Sequence, residues 1–525
     1  VTELADTPAV PASGSATEGT LRATDEQQAI IDAIQQGQNL VAQARAGTGK
    51  TATLVMATRT QQNKKTLYLA YNKAIATDAR RKFGRHVDCR TLHSLAYAHA
   101  KDWMRSRLTT PRQNGRMVAD ILRIVQPMVV TAGSFDMPIE VRLPPQQLGR
   151  LVTEGIRRFC YSADPEPSWW HVPKQPGLTS AAHQHVAQRL VALMHRAWAD
   201  ISSTAGQLRL EHDHYLKTWA MTDPQLPFDL VLLDEGQDSN RLTSHLIATQ
   251  TNTQTAVVGD SAQQLYAWRG ATDSLEEFPE HVVLYLTQSW RFGPAVAEIG
   301  NVFLRLRDTQ PLVRGNPTMD SRLVDNMIAP DAILCRTNAG AMEEVIGQLE
   351  LGRATYLQGG GDAMRRMAEA AIELQSGNGT NNPELCAFTS WAEVRDYVEV
   401  DPSGSDLRAF VRLVEEHGAD SIIDACDRLI NAPSSYSLGR RPEEEVPLGS
   451  VVVSTMHKSK GLEWRKVRIG RDVPGPRVDP ETWLLRDPDP AEMMLNYVAA
   501  TRAQWELDPG PLRQWAEIEA LPAMG

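Results

Sequence analysis

The chain has 525 residues, 42% of them hydrophobic and 22% charged, with a formal net charge of −10; that balance excludes collagenous and disordered classes and fits globular domains. Five scattered cysteines (Cys89, Cys160, Cys335, Cys386 and Cys426) form no C-x-x-C pair, which argues against a disulfide framework or zinc ribbon and for a reducing compartment, cytoplasmic or, in a eukaryote, nuclear. No run approaches the roughly 18 apolar residues of a membrane helix, so no membrane partner is expected. Residues 1–20 are rich in Ala, Thr, Pro, Ser and Gly, lack a basic start and an apolar core, and read as a disordered leader. "TDEQQAIIDAIQQG" reads as a helix and "NLVAQA" (39–44) as a buried strand running into "RAGTGKT" and the helix-capable "TATLVMATR". "TLYLAYN" (66–72) is a strand before the helical "NKAIATDARRKFG"; "DLVLLDE" (229–235), "TAVVGD" (255–260), "HVVLYLTQS" (281–289) and "SVVVSTMH" (450–457) are further strands. Short apolar runs alternating with helices imply parallel sheets with right-handed crossovers.

Two stretches break this rhythm. Residues 95–225 are helix-patterned and rich in Trp, Arg, Leu and His; residues 345–445 are helix-patterned and acidic, with "LQGGGDA" and "LQSGNGTNN". The expected division is a first α/β core from 21–94 and 226–280, a helical insertion at 95–225, a second core from 281–344 and 446–508, a smaller helical insertion at 345–445, and a tail at 509–525. Charge is uneven. Between Lys73 and Arg123 there are 12 Lys/Arg against 4 Asp/Glu, a local +8 that leaves −18 elsewhere. Such a stripe suits phosphate contact, or equally a solvated helical face.

The glycine-rich loop carries the first chemistry. Backbone N–H groups of Ala46, Gly47, Thr48 and Gly49 at a helix N-terminus can wrap phosphates; Lys50 suits the β/γ oxygens and the Thr51 hydroxyl suits Mg²⁺. In "VLLDEGQD", Asp234 and Glu235 fall at a strand's C-terminal end, where open α/β sheets bind ligands. Asp234 suits the metal shell and Glu235 the base that orients water. A lone Asp-Glu pair is usually solvated loop; four apolar residues and a phosphate loop reverse that. In "VVGDSAQQLYAWRGA", Gln263 can sense a γ-phosphate by hydrogen bonding, and Tyr266, Trp268 and Arg269 suit base stacking or, as plain aromatics, a core.

"ARAGTGKT", "LLDEGQD", "GDSAQQLYAWRGA", "LTQSWRFG", "VVVSTMHKSKGLEW" and "LNYVAATRA" together resemble, in order, the motifs of superfamily 1 helicases of the UvrD/Rep/PcrA type. "LAYNKAIATDARRKF" followed by "TLHSLAY" looks closest to the F-box DNA helicase branch, although the sequence contains no F-box. The resemblance runs from about residue 24 to 503. It implies two RecA-like P-loop cores with two mainly helical insertions, ATP hydrolysis with Mg²⁺, and movement along single-stranded DNA, 3′ to 5′, in repair, replication or recombination. Single-strand/duplex junctions are the implied substrates. Gln27 matches a glutamine that reads adenine, Trp290 an aromatic stacked on it, and Arg291 and Arg502 the arginines that reach the γ-phosphate. Glu463 matches a residue near the ribose or triphosphate. Tyr71, Asn72, Lys73, Thr91, His93 and His457 match strand-contacting positions.

The sequence departs from the pattern at Ala70-Tyr71-Asn72-Lys73, where the family has Phe-Thr-Asn-Lys, so the aromatic has moved. Gly236 replaces a common alanine, Ala491 a common glutamate, and the second insertion is short. Two alternatives stay open: a protein-stripping translocase with little unwinding, and a nucleic-acid-binding module with an inactive ATPase. RNA as the track is compatible with the motifs. Protein partners are not legible.

Overall fold

The computed structural model describes residues 22–134, 137–175, 178–265, 274–382, 384–386, 388–400, 405–430, 449–477, 479 and 486–519. In chain order, β1 (Leu40–Ala44), β2 (Thr66–Leu69) and β3 (Val87–Arg90) are followed by a hairpin of β4 (Met128–Ser134) and β5 (Met137–Leu143), then β6 (Leu230–Asp234), β7 (Gln254–Gly259) and β8 (Val282–Leu286). The first sheet is parallel, in the order β3-β2-β6-β7-β1-β8. β9 (Arg322–Leu323), β10 (Ala332–Cys335), β11 (Thr355–Leu357), β12 (Val451–Thr455), β13 (Trp464–Ile469) and β14 (Ala503–Asp508) form a second parallel sheet, β11-β12-β10-β13-β14-β9. Both are the α/β cores expected.

Alternation along each strand supplies two apolar faces. On the first sheet, Val41, Leu67, Val231 and Val257 pack one way, and Leu40, Ala42, Tyr68 and Leu232 the other. The second face is covered by the helices Asp25–Gln35 and Lys50–Arg59. The former begins with a capping box, Thr24 accepting from the Gln27 amide while Gln27 accepts from the Thr24 amide, which satisfies two otherwise orphaned donors.

Two expected boundaries move. β8 was expected to open the second core, but its Val282–Leu286 pair in parallel register with Leu40–Ala44. It is the edge strand of the first sheet, and an apolar run carries no mark of which sheet it joins. β11 lies within the expected second insertion yet pairs with Val451–Val453; three residues are too few to show a period. The remaining helices of that stretch do not hang free. Trp391, Val394, Phe410, Val414 and Ile422 share one cluster with Ile333 and Val453 of the second sheet.

The first insertion is also smaller than expected. The helices Leu92–His99 and His212–Ala220 pack on the first sheet through Leu95, Ala96, Leu216 and Trp219. Its own core gathers Val118, Leu151, Phe159, Leu190 and Met194, and the β4–β5 hairpin adds antiparallel strand to a stretch expected to be helical. Among the described residues no helix is long and apolar enough to cross a membrane.

Candidate nucleotide cleft and nucleic-acid track

The phosphate loop leaves β1 at Ala44, which is fully buried in the sheet, so the methyl there is packed rather than in the loop's way. Gly47 (φ +73°) and Gly49 (φ +82°) occupy the left-handed region that favours glycine. A Cβ on Gly47 would also fall 2.6 Å from both Arg291 Cβ and Ser289 Oγ. This loop is therefore closed on one side by the segment that enters the second core. Gly49 opens the helix Lys50–Arg59 without a side-chain cap, leaving first-turn amides for an anion.

Lys50 Nζ lies 2.9 Å from Glu235 Oε2. Burial alone would lower the lysine's pKa; Glu235, Asp234 and Asp260 outweigh it and raise it. Thr51 Oγ1 donates to Asp234 Oδ2 at 3.4 Å, and Tyr68, which sequence reasoning missed, donates to the same oxygen at 2.5 Å. Glu235 sits at φ +53°, a conformation that costs a non-glycine residue about 1–3 kcal/mol and concentrates at functional sites. Its carboxylate accepts from Gln237 Nε2 at 2.6 Å. Burial pushes the Glu235 pKa up, and Lys50 with Lys460 overcome it and hold the group ionised. Asp234 is instead raised, by burial and then by Glu235 beside it.

The second core reaches into this cradle. Arg502, 1% exposed, donates from Nη2 to Gln263 Oε1 at 3.2 Å, while Gln263 Nε2 donates to Asp260 Oδ2 at 2.6 Å. Burial, then repulsion from Arg291, lowers the Arg502 pKa to about 9. Arg291 pairs with Glu463 (Nε to Oε2, 2.6 Å) and donates to the Thr501 carbonyl at 3.2 Å. Trp290, 51% exposed, donates its amide to Gly47 O at 2.8 Å. Its Cδ1 and Gln27 Nε2 both border Gly49, 3.6 and 3.3 Å from where a Cβ there would stand. So Gln27, Trp290 and the loop, distant in sequence, meet at one rim.

Two networks that link the cores went unforeseen. Arg45 and Asp260 form a 2.9 Å ion pair with side chains 2% and 0% exposed. Arg45 also donates to the carbonyls of Pro311 and Gln310 at 2.7 and 2.9 Å, and Tyr497 Oη joins Asp260 Oδ2 (3.3 Å) to the Ala46 amide (3.1 Å). Lys460 Nζ lies 2.5 Å from both Asp238 Oδ2 and the Gln263 carbonyl. Burial raises the Asp238 pKa to about 6 against the pull of Lys460. The sequence signal for both was only that Arg45, Asp260, Tyr497, Asp238 and Lys460 fall inside matched motifs.

The strand-contact candidates divide between the cores. Asn72 and Thr91 each cap a helix, accepting from the Ile75 amide (2.9 Å) and the Ser94 amide (3.2 Å) just beyond β2 and β3. Tyr71 and Lys73 are exposed beside Asn72. His93 turns its Nε2 onto Asp213 Oδ1 at 2.9 Å. His457 lines a cavity of about 1150 Å³ on the second core, with Arg336, Asn338, Lys458, Arg477 and Arg486. Burial, then Arg336, lowers the His457 pKa, so it is neutral near pH 7. Arg336, which sequence reasoning missed, is held two-pronged by Glu492 (Nη2 to Oε1 2.6 Å, Nε to Oε2 3.0 Å). Tyr266, Trp268 and Arg269 lie outside the described residues.

A glycine-rich phosphate loop on one parallel sheet, closed by arginines from a second, defines a P-loop protein built of two RecA-like cores. Comparison with known proteins narrows this. Residues 26–269 match the AAA domain family and residues 356–508 the UvrD-like helicase C-terminal domain family. F-box DNA helicase 1 of Gallus gallus is 27% identical over 521 residues, covering 92% of this chain and 48% of that protein. F-box DNA helicase protein 1 of Schizosaccharomyces pombe is 27% identical over 526 residues, covering 92% and 57%. A probable DNA helicase II homolog of Mycoplasma capricolum is 33% identical over 85 residues, 15% of this chain. Together these matches support a UvrD-like superfamily 1 helicase related to the F-box DNA helicase branch. It spans about half the length of the two F-box relatives.

Proposed function

We propose that this chain is an ATP-hydrolysing DNA helicase that cuts ATP between its two cores and moves along single-stranded DNA, 3′ to 5′, opening duplex at junctions. The observation that carries the reading is the meeting of Arg291 and Arg502 from the second core with Lys50, Glu235 and Gln263 from the first. The helicase names of the matched families and relatives support DNA as the track; direction, and a place in repair, replication or recombination, rest on the motif resemblance.

The donor set fits a nucleoside triphosphate: glycine-shaped space, uncapped amides, a lysine and two arginines. Thr51 and Asp234 would hold Mg²⁺, which neutralises β/γ-phosphate charge when bound. Lys50 leaves Glu235 for the phosphates, freeing that carboxylate to accept a proton from the attacking water. Gln263 reports the γ-phosphate to Arg502, whose charge stabilises the transferred group only when the cores close. Gln27 reads the base edge and Trp290 stacks on it. Tyr71, Lys73 and Thr91 on one core, and His457 on the other, grip the strand, so closing and opening walk it.

A protein-stripping translocase with little unwinding is the second reading. The merging of the second insertion into the core of the second sheet favours it, because the described residues there pack on that sheet rather than forming a separate domain to engage duplex. Translocation and strand-displacement assays run side by side test the two. Unwinding at the pace of translocation supports the helicase; translocation without displacement supports the stripping motor; neither, with no ATP turnover, sinks both.

A further inference from the structure

The first insertion encloses a second cavity, remote in sequence from every motif named above. It measures about 310 Å³, the lower end of the ~300–1,000 Å³ range of small-ligand pockets, room for one ring system and an attached group. Its floor is apolar: Val118, Val152, Ile156, Ala197, Ile201 and Leu208 line it. Its polar lining combines the donors of Arg112, Arg157, Arg209 and His214 with Gln113, Thr153 and the carboxylate of Glu211.

Two of those side chains carry a donor with no hydrogen-bond partner among the described residues. His214 is 8% exposed, and its Nδ1 accepts the Glu211 amide at 2.9 Å. The ring proton therefore sits on Nε2, which makes no hydrogen bond among the described residues. Burial keeps this imidazole neutral, its pKa lowered to about 4. Arg209 Nε is buried without a hydrogen-bond partner and stands 4.0 Å from Glu211 Oε1. That carboxylate is already engaged in capping the helix His212–Ala220. A buried donor left unmade costs roughly 1–3 kcal/mol, so Arg209 Nε favours an acceptor inside the cavity. Arg157 is tied to Glu154 at 2.6 Å, and Arg112 is exposed at the mouth.

We propose that this cavity is a second, non-catalytic site for an organic phosphate with a ring-sized apolar body, a single nucleotide, its ring on the aliphatic floor and its phosphate among the arginines. The nucleotide is either free or one residue of a bound strand. The site does not depend on the helicase reading, and the two can fail separately.

The test is equilibrium dialysis of the whole chain with labelled thymidine 5′-monophosphate, the ATP cleft saturated with ADP and Mg²⁺. One equivalent should bind. Arg209→Gln should weaken it by about tenfold, the loss of one charge-assisted hydrogen bond, while basal ATP turnover without DNA is unchanged. Ala197→Phe, which fills the floor, should abolish binding with the thermal midpoint retained. Competition by oligo-dT assigns the nucleotide to the strand, and absence of competition to the free pool. Failure of any equivalent to bind, or binding unchanged in Arg209→Gln, overturns the proposal. A chain that binds the monophosphate yet hydrolyses no ATP would contradict the helicase reading alone.

Discussion

Arg502 and Gln263 join the two cores through a single hydrogen bond, Nη2 to Oε1 at 3.2 Å, deep in the cleft. One is the arginine of the motif "LNYVAATRA" in the second core; the other follows the strand that ends at Gly259 in the first. If Gln263 senses the γ-phosphate and Arg502 supplies charge, as proposed, two groups that share a bond cannot act independently. Arg502→Lys should therefore lower kcat by about 10³-fold, as for removal of other arginine fingers, with the KM for ATP nearly unchanged. Steady-state kinetics with single-stranded DNA measures both parameters. A rise in KM with kcat intact would make Arg502 a plain binding residue.

Trp290 is half exposed at the rim of the phosphate loop, beside Gln27. If it stacks on the base, Trp290→Ala should raise the KM for ATP by about tenfold, the scale of one lost aromatic stack, and leave kcat near wild type. Intrinsic fluorescence of the wild type should be quenched on adding ADP, and the quench should vanish in the variant.

The Arg45–Asp260 pair is almost wholly shielded from water. Removing one partner strands the other charge. Arg45→Met should destabilise the chain by about 3–5 kcal/mol, and Arg45→Met with Asp260→Asn by less than the sum of the singles. Urea unfolding of the four proteins measures the coupling; strict additivity would mean the pair is not an energetic unit.

Asp238 faces Lys460 across the cores with a pKa raised to about 6. A carboxyl raised in the folded state stabilises the fold below its unfolded value near 3.9, and that contribution is lost as pH rises through about 6. The ion pair with Lys460 runs the other way, complete only above about 6. ATP turnover should therefore fall as pH drops through 6, while stability does not. Asp238→Asn should flatten this limb of the profile; an unchanged limb would assign it to another group.

Much of the cleft was legible because phosphate chemistry dictates local spacing. Gly47, Gly49, Lys50 and Thr51 are adjacent in the chain, and Asp234-Glu235 announce themselves after four apolar residues. The arginines at 291 and 502 were legible only through motif order, since nothing local distinguishes them from surface arginines. Arg45, Tyr68 and Tyr497 were missed because their roles arise from pairing across strands and cores, with Asp234 or Asp260, that no one-dimensional pattern carries. The sheet assignments of β8 and β11 failed for the same reason: an apolar strand reports its burial, not its neighbour.

The central claim is that ATP is cut between the two cores, by the second core's arginines set against the first core's phosphate loop, and that the cut drives movement along single-stranded DNA. The most direct measurement is the ATP hydrolysis rate of wild type, Lys50→Ala and Arg502→Lys, each alone and with single-stranded DNA, single-stranded RNA or duplex. The account predicts slow basal turnover, strong stimulation of wild type by single-stranded DNA, and loss of the stimulated rate in both variants. Equal rates with and without nucleic acid, or a Lys50→Ala chain as fast as wild type, would contradict it.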